Sequence, residues 1–207
     1  GQRELPYSTK VLRSIHDIEP ERWDELAGDN ALARNHAYLA AIEASSINDC
    51  AFFYLIIHDH DDRLLAHACV CTITTDFAQL LPSPLQNLAG RLRSIWPRFL
   101  MSKITECALP LVAGHSISLR KGADHERLIV ALETGISNIA RAERSSLIVI
   151  RDFLADERAR FDILLSRGYN LAYNMPLARI RVRWKSHADY LAAMRSRYRK
   201  DVTRRLK

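Results

Sequence analysis

Hydrophobic residues follow two different patterns between residues 125 and 170, and together they predict a helix–strand–helix unit. In HERLIVALETGISNIARA the apolar residues return every three or four positions, which is typical of an amphipathic helix, and Asp124 is placed to cap it. The run from Ser146 to Ile150, SLIVI, is short, continuous and β-branched, and it predicts a strand covered on both faces. Asp156 is expected to begin a second helix that ends at Gly168. This order is the repeating unit of an α/β sheet.

In the first half of the chain, apolar and polar residues alternate at strand spacing more often than they recur at helix spacing. Lys10 to Ile18 predicts an opening strand, and Pro20 and His36 are expected to begin two helices. A hairpin is predicted from the strands Ala51–Ile57 and Leu64–Thr75, which are joined by the turn HDHDDR.

Prolines bracket the segment LQNLAGRLRSIW, which predicts an amphipathic helix inserted across a sheet edge. Further strands are expected at Lys103–Leu109, Ser116–Arg120 and Asn170–Trp184, followed by a last helix with a Ser186/Asp189 capping box. The predicted fold is therefore α/β, a mixed sheet with helices on both sides.

Composition narrows the class of protein. With 207 residues, 48% of them hydrophobic, the chain can bury a core as one large domain or as a domain with an appendage. It has no run of 18 apolar residues and no apolar region at its start, so neither a transmembrane helix nor a secretory signal is predicted. The four cysteines lack a CxxC pair, and we expect them to be reduced and buried in a cytoplasmic protein.

The positive charge is concentrated at one end. From Arg179 to Lys207, eleven Lys and Arg residues stand against two Asp, a balance of +9. The formal net charge of the whole chain is +6, so the remaining residues carry −3. The body is slightly acidic and the tail strongly basic, which argues against nucleic-acid binding as the main function of the body.

The predicted element order is similar to the GNAT acyltransferase fold, and the details most resemble its Fem-like branch, which includes peptidoglycan aminoacyl transferases and BioF2-like acetyltransferase domains. The segments that carry the resemblance are Trp23…Leu26, HAYLAAIEAS, HDHDDRLLAHACV, LLSRGYN and HADYLAAMRSRYRKDVTRRLK. It implies a GNAT-like domain over residues 1–184 and a basic amphipathic helix over residues 185–207. That helix is expected to lead into a second GNAT-like domain, and a homodimer is the other assembly considered.

The resemblance also implies a reaction. An acyl or aminoacyl group would pass from an activated donor, acyl-CoA or aminoacyl-tRNA, to an amine acceptor, with acyl-CoA as co-substrate and no tightly bound cofactor. The alternative is a catalytically silent GNAT-like module that binds a partner.

The resemblance places the donor phosphates at LRKGADHERL, where Arg120, Lys121 and Gly122 precede a helix N-terminus. The family's second glycine is missing there, and a surface turn is the alternative. The tyrosine that this family uses to protonate the leaving group is replaced by Leu164, so Tyr169 and Tyr173 are the candidate phenols.

Three residues near predicted strand ends are candidate general bases for the amine: Glu106, His115 and Asp152. The apolar sequence neighbours of Glu106 are expected to raise its pKa. The alternative for each is a capping or solvated polar residue.

Two further groups are conspicuous. The hairpin turn contains His58, His60 and several aspartates, but such turns are common without metals and no metal is expected. On the basic helix, Arg195, Arg197, Lys200 and Arg204 are candidate contacts to phosphates, to tRNA or to an anionic membrane surface. The alternative is an amphipathic helix whose apolar side docks on a domain.

Overall fold

A mixed sheet forms the centre of this computed structural model, which describes residues 7–28, 32–46, 50–173 and 181–205. The strands are β1 (Tyr7–Leu12), β2 (Ala51–Asp59), β3 (Leu64–Asp76), β4 (Met101–Cys107), β5 (Ile117–Leu119) and β6 (Leu147–Ile150). The α-helices are α1 (Pro20–Ala27), α2 (His36–Ala44), α3 (Ser83–Leu92), α4 (His125–Ala142), α5 (Ile163–Ser166), α6 (His187–Ala193) and α7 (Ser196–Arg205). The chain divides into two compact units, residues 1–171 and 172–207; the boundary expected after residue 184 stays a prediction.

The strand order is β1-β2-β3-β4-β6, and this confirms the predicted mixed sheet. β1 to β4 pair antiparallel in succession, whereas β6 lies parallel to β4 after the crossover through α4. A parallel neighbour requires such a crossover, and α4 provides it.

β5 continues the line of β4 along the same edge of β3. Val70 pairs with Cys107 of β4, and Ala68 pairs with Ile117 of β5. Residues 108–116 therefore form an excursion between the two strands. β6 pairs with β4 but, among the described residues, has no register with β5, so the sheet opens at this excursion.

Side chains alternate between two cores, one on each face of the sheet. The face toward α4 includes Phe53, Leu55, Ile57, Ala68, Val70, Cys107, Leu128, Leu132 and Ile136. The face toward α1 and α2 includes Trp23, Leu39, Tyr54, Ile56 and Cys69. Each fully buried large apolar side chain contributes roughly 1.5–3 kcal/mol relative to exposure, so both layers of helix stabilise the sheet.

The helix α4 forms as the sequence predicts. Asp124 caps it by accepting a hydrogen bond from the Arg127 amide at 3.1 Å. Gly135 lets it approach the sheet closely, because a Cβ at this position would lie 2.6 Å from Leu55 Cδ2.

The predicted opening strand is displaced. It occupies Tyr7–Leu12 rather than Lys10–Ile18, because Ser14 and Asp17 form a capping box around a one-turn 3-10 helix. That turn buries Ile15 and Ile18, whose alternation imitates a strand in the sequence.

The strand–helix segment after α4 also departs from prediction. β6 is not covered on both faces: it ends the strand order, and Leu147 is 48% exposed. Asp156 does not cap a long helix, because the next segment forms only a 3-10 turn and the short α5. Glu157, at the N-cap position, makes no side-chain cap and hydrogen bonds to His115 instead.

In the second unit, the predicted last helix is two helices. Ser186 caps α6 by accepting from the Asp189 amide at 3.1 Å, but the extended backbone of Met194 separates α6 from α7. No strand forms at residues 170–173 or 181–184, and the rest of the predicted strand, with Arg179, lies outside the described residues. Within the described ranges, no helix is long and apolar enough to cross a membrane.

Acid sensitivity is expected from Glu43 on α2. Its carboxylate accepts hydrogen bonds from the Ile15 amide at 2.9 Å, the Ser14 hydroxyl at 2.6 Å and the Tyr54 hydroxyl at 3.0 Å. Burial alone would raise the pKa of Glu43, but these hydrogen bonds outweigh burial and lower it. Because the folded pKa is depressed, the stabilisation is complete above the unfolded value of about 4.3 and is lost as the pH falls through the lower folded value.

We therefore expect Glu43→Gln to lower the free energy of unfolding at pH 7 by about 1–3 kcal/mol and to flatten its dependence on pH below about 5. Urea denaturation across this pH range measures both effects. Glu21→Gln, at an exposed position of α1, is the control. A Glu43→Gln protein with the wild-type pH dependence would contradict the assignment.

Candidate active site

The opening of the sheet lies at the carboxyl ends of β4 and β6. The two strands stay together as far as Cys107 and Ile150, and the Arg151 amide still donates to the Cys107 carbonyl at 3.3 Å. Beyond this point one chain segment leads through residues 108–116 to β5, and the other continues through residues 151–157. Ligands of open α/β sheets usually bind at such strand ends.

His115 and Glu157 join the two diverging segments. His115 Nε2 donates to Glu157 Oε1 at 3.0 Å, and the histidine side chain is nine-tenths buried. Its ring stacks on Phe153 with 5.5 Å between centroids and approaches Phe161 at 5.8 Å. The other ring nitrogen, Nδ1, is buried and has no hydrogen-bond partner among the described residues.

The Glu157 carboxylate decides which ring nitrogen of His115 carries the proton when the ring is neutral. Burial would raise the pKa of Glu157, but the hydrogen bond from His115, the charge of His115 when that ring is protonated, and the Leu154 amide lower it. An ionised carboxylate only accepts, so in the neutral ring Nε2 carries the proton and Nδ1 presents a lone pair. A histidine that a carboxylate holds through one ring nitrogen, with the other ring nitrogen unpartnered, has the arrangement expected of an oriented general base.

The link between α1 and α2 borders the same opening. Arg34 Nη1 donates to the Ile117 carbonyl of β5 at 3.5 Å, and the Tyr38 hydroxyl donates to the Pro110 carbonyl at 2.8 Å. Burial lowers the pKa of Arg34, and the charge of Glu157 partly opposes this. Trp23 Nε1 fixes the Arg34 backbone by donating to its carbonyl at 2.8 Å.

The structure brings together two of the other predicted bases through Arg151. Its Nε and Nη2 donate to Glu106 Oε2 at 3.2 and 3.1 Å, and its Nη1 donates to Asp152 Oδ2 at 2.6 Å. The apolar environment predicted for Glu106 is therefore wrong, because a guanidinium lies against its carboxylate. Burial lowers the pKa of Arg151, but the two carboxylates raise it by more. Ion pairing makes both carboxylates weaker candidates for the base than His115.

The two candidate phenols, Tyr169 and Tyr173, lie in different surroundings. The Tyr169 hydroxyl donates to Glu133 Oε1 of α4 at 3.3 Å, and Glu133 also accepts from Ser137 at 2.7 Å and from Arg167 at 2.6 Å. Burial and the Glu133 charge raise the pKa of Tyr169 to about 12, so it keeps its proton. Tyr173, in the second unit, is 87% exposed, whereas Leu164 is a core residue.

The predicted phosphate turn is only partly available. Gly122 has the positive φ of 80° that favours glycine, and Lys121 is exposed. Arg120, in contrast, donates to the Leu64 carbonyl at 2.6 Å and to Glu25 at 2.9 Å. The Asp124 cap also places a carboxylate at the α4 N-terminus, where it competes with a phosphate.

The predicted cations of the tail lie in the second unit. Arg195 lines a groove of about 490 Å³ together with Met194, Tyr198, Asp201, Val202 and Arg205. Arg197, Lys200 and Arg204 are exposed on α7, and Arg204 donates to Asp201 at 3.0 Å. Their roles in binding stay predictions.

Cys69, Cys71 and Cys107 are buried, as expected, whereas Cys50 is half-buried; the reduced state of the cysteines stays a prediction. Burial raises the pKa of the Cys71 and Cys107 thiols to about 12, which makes them poor nucleophiles. In the hairpin turn, Asp59 accepts from the Asp61 and Arg63 amides, at 3.0 and 2.9 Å. Among the described residues, no group of three or more His, Cys, Asp or Glu side chains is arranged to hold a metal.

Sequence reasoning missed Glu157 and Arg34. Glu157 looks like an ordinary acidic residue before a helix, and its partner is 42 residues away. Arg34 follows the sequence GDNALA, in which no motif marks it as a site residue. Only the folded chain reveals them, because Glu157 contacts His115 and Arg34 contacts the Ile117 carbonyl of β5.

Comparisons with known proteins support the fold. No family model matches the chain. In two strains of Mycobacterium tuberculosis, a protein provisionally named 8-amino-7-oxononanoate synthase 2 is 23% identical over 158 residues, which is 76% of this chain and 20% of that protein. The chain thus spans about a fifth of the length of the curated relatives it matches.

Solved structures give the clearer likeness. Two mutant forms of the BH1408 protein from Bacillus halodurans superpose with TM-scores of 0.54 and 0.52 at 11% and 12% identity, covering 84% of this chain and 99% of theirs. A ribosomal-protein-alanine N-acetyltransferase from Brucella melitensis biovar Abortus gives a TM-score of 0.48 at 15% identity, with the same coverage. From the sheet topology and the BH1408 likeness, we conclude that residues 1–171 have a GNAT-like fold, a central mixed sheet flanked by helices.

Proposed function

We propose that this chain transfers an acyl or aminoacyl group from an activated donor, acyl-CoA or aminoacyl-tRNA, to an amine acceptor. The observation that carries the proposal is the buried His115–Glu157 pair at the opening of a GNAT-like sheet, with Nδ1 of His115 unpartnered. The assignment to the Fem-like branch is part of the proposal and rests on the sequence segments that resemble it.

The proposed chemistry uses these groups directly. The acceptor nitrogen attacks the acyl carbonyl carbon, and a carbon–nitrogen bond forms while the bond to the donor sulfur or oxygen breaks. His115 Nδ1 takes the proton that the amine loses, and the imidazolium then gives that proton to the leaving sulfur or oxygen, which restores the neutral ring. Glu157 holds the ring and stabilises the imidazolium, as the orienting carboxylate does in other histidine-based sites.

Substrate entry requires the segment 151–157 to move. Nδ1 is covered by neighbouring atoms, and residues 151–157 contain no strand or α-helix. His115 and Phe153 hold this segment against the excursion 108–116. Opening of a short segment that completes the site on closing is common among transferring enzymes, because it excludes water from the activated donor.

The test is product formation. The purified chain is incubated with acetyl-CoA, longer acyl-CoAs or aminoacyl-tRNA and a panel of primary amines, and the masses of the acceptors are measured. We expect an acceptor whose mass rises by one acyl group. Donor binding by calorimetry without any product would favour the silent binding module, and the absence of both binding and product would overturn the proposal.

A further inference from the structure

The insertion between β3 and β4 exposes a continuous row of large apolar side chains. We call this the α3 apolar face; it consists of Leu85, Leu88, Leu92, Ile95 and Trp96. Ile95 is 86% exposed and Trp96 65%, and the three leucines are between 37% and 51% exposed. The spacing of the five residues places them on one side of a helical path. An apolar surface of this kind normally marks an interaction site.

The insertion is fixed to the sheet, and it leaves the three leucines of this face partly exposed and Ile95 and Trp96 largely exposed. Arg93 forms an ion pair with Asp76 at the end of β3, and its Nε donates to the Phe99 carbonyl at 3.0 Å. The Phe77 amide donates to the Leu100 carbonyl at 2.9 Å, and Ala89, which lies between Leu85 and Leu92 on the same side of α3, is buried. The α3 apolar face therefore belongs to a folded segment that is held in place on the sheet.

The charged residues of the segment that carries this face are all positive. From Phe77 to Thr105 the sequence contains no Asp or Glu. Of its four cations, Arg93 and Lys103 are paired with Asp76 and Glu143. Arg91 and Arg98 are exposed and form no ion pair within the described residues.

We propose that the α3 apolar face docks on an anionic lipid surface, with Ile95 and Trp96 in the headgroup region and Arg91 and Arg98 against lipid phosphates. An apolar helical face with an indole at its end and flanking arginines has the chemistry of an interfacial segment that lies on a bilayer. A contact between two copies of this face would gather Arg91 and Arg98 of both copies without a carboxylate from this segment, and like charges across an interface are unfavourable. The proposal is independent of the acyltransferase activity.

Vesicle co-sedimentation tests the proposal. The full chain is mixed with phosphatidylcholine vesicles that contain about 30% phosphatidylglycerol, or with phosphatidylcholine vesicles alone, at low salt. We expect binding to the anionic vesicles and at least about tenfold weaker binding to the neutral ones. Tryptophan emission should shift to shorter wavelength on binding, and Trp96→Phe should abolish the shift.

Two double variants separate the two contributions. Ile95→Ser with Trp96→Ser is expected to abolish binding to both kinds of vesicle, and Arg91→Glu with Arg98→Glu is expected to lower only the anionic preference. Leu165→Ser removes an apolar side chain that is 45% exposed elsewhere, and it should bind as wild type does. Equal binding to neutral vesicles, no binding to either kind, or a concentration-dependent dimer that the Ile95/Trp96 variant abolishes would overturn the proposal.

Discussion

Replacing His115 with alanine is expected to lower kcat/KM for acyl transfer by about 100- to 10 000-fold, the range associated with loss of a general base. The reason is geometric: Nδ1 is the unpartnered nitrogen of the ring, and Glu157 holds Nε2 at 3.0 Å. The measurement is steady-state acyl transfer to the acceptor identified by mass. His115→Gln, which keeps a polar side chain but has no basic nitrogen, should lose activity to a similar extent.

Two controls separate catalysis from folding. His60→Ala removes an exposed histidine of the β2–β3 turn and should retain wild-type activity. Calorimetric unfolding shows whether the His115 variants stay folded at the assay temperature. Folded His115→Ala and His115→Gln proteins with wild-type kcat/KM would remove His115 from the mechanism.

The largest effect on stability is expected from Trp23→Ala, a loss of about 3–5 kcal/mol in the free energy of unfolding. The indole is 1% exposed; it stacks on His67 with 3.8 Å between centroids and meets Tyr54 edge-on at 5.7 Å. Burial lowers the pKa of His67 to about 3, so the ring against which Trp23 packs is neutral near pH 7. Alanine would leave a cavity between α1 and the sheet.

Urea denaturation at pH 7 measures this loss, with two companion variants. Trp23→Phe keeps an aromatic ring but removes the Nε1–H bond to the Arg34 carbonyl, and we expect a loss smaller than that of alanine. Trp96→Ala removes a tryptophan that is 65% exposed, and its effect should stay within about 0.5 kcal/mol. A Trp23→Ala protein as stable as Trp96→Ala would contradict the packing described for α1.

Local sequence patterns predict the fold well where the structure of an element depends on residues within that element. The apolar spacing and Asp124 predict α4, and Gly28 and Gly168 mark chain reversals with φ of 83° and 90°. These patterns fail where the role of a side chain depends on a partner that is distant in the sequence. Ile15 and Ile18 look like strand residues but pack over a capped turn. Asp156 looks like the start of a helix, but the neighbouring Glu157 hydrogen bonds to His115 and only a 3-10 turn and the short α5 follow.

The candidate site also contains residues that the sequence predicts and residues that only the structure reveals. His115, Glu106 and Asp152 are recognisable candidates because they follow or end predicted strands. Their differences in chemistry come from partners that no spacing reveals: Arg151 lies between Glu106 and Asp152, and Glu157 reaches His115 from 42 residues away. The α3 apolar face is a related case, since periodicity predicts the helix but not which side of it meets the protein.

A double-mutant cycle on His115 and Glu157 shows whether the two residues act as one catalytic pair. The variants are His115→Ala, Glu157→Gln and the two combined, and the measured quantity is kcat/KM for acyl transfer. If Glu157 acts only by orienting His115 and stabilising its charge, it has no function once the ring is gone. We therefore predict that the double variant is no slower than His115→Ala alone. A double variant whose loss equals the product of the two single losses would show that the residues act independently and would contradict the account.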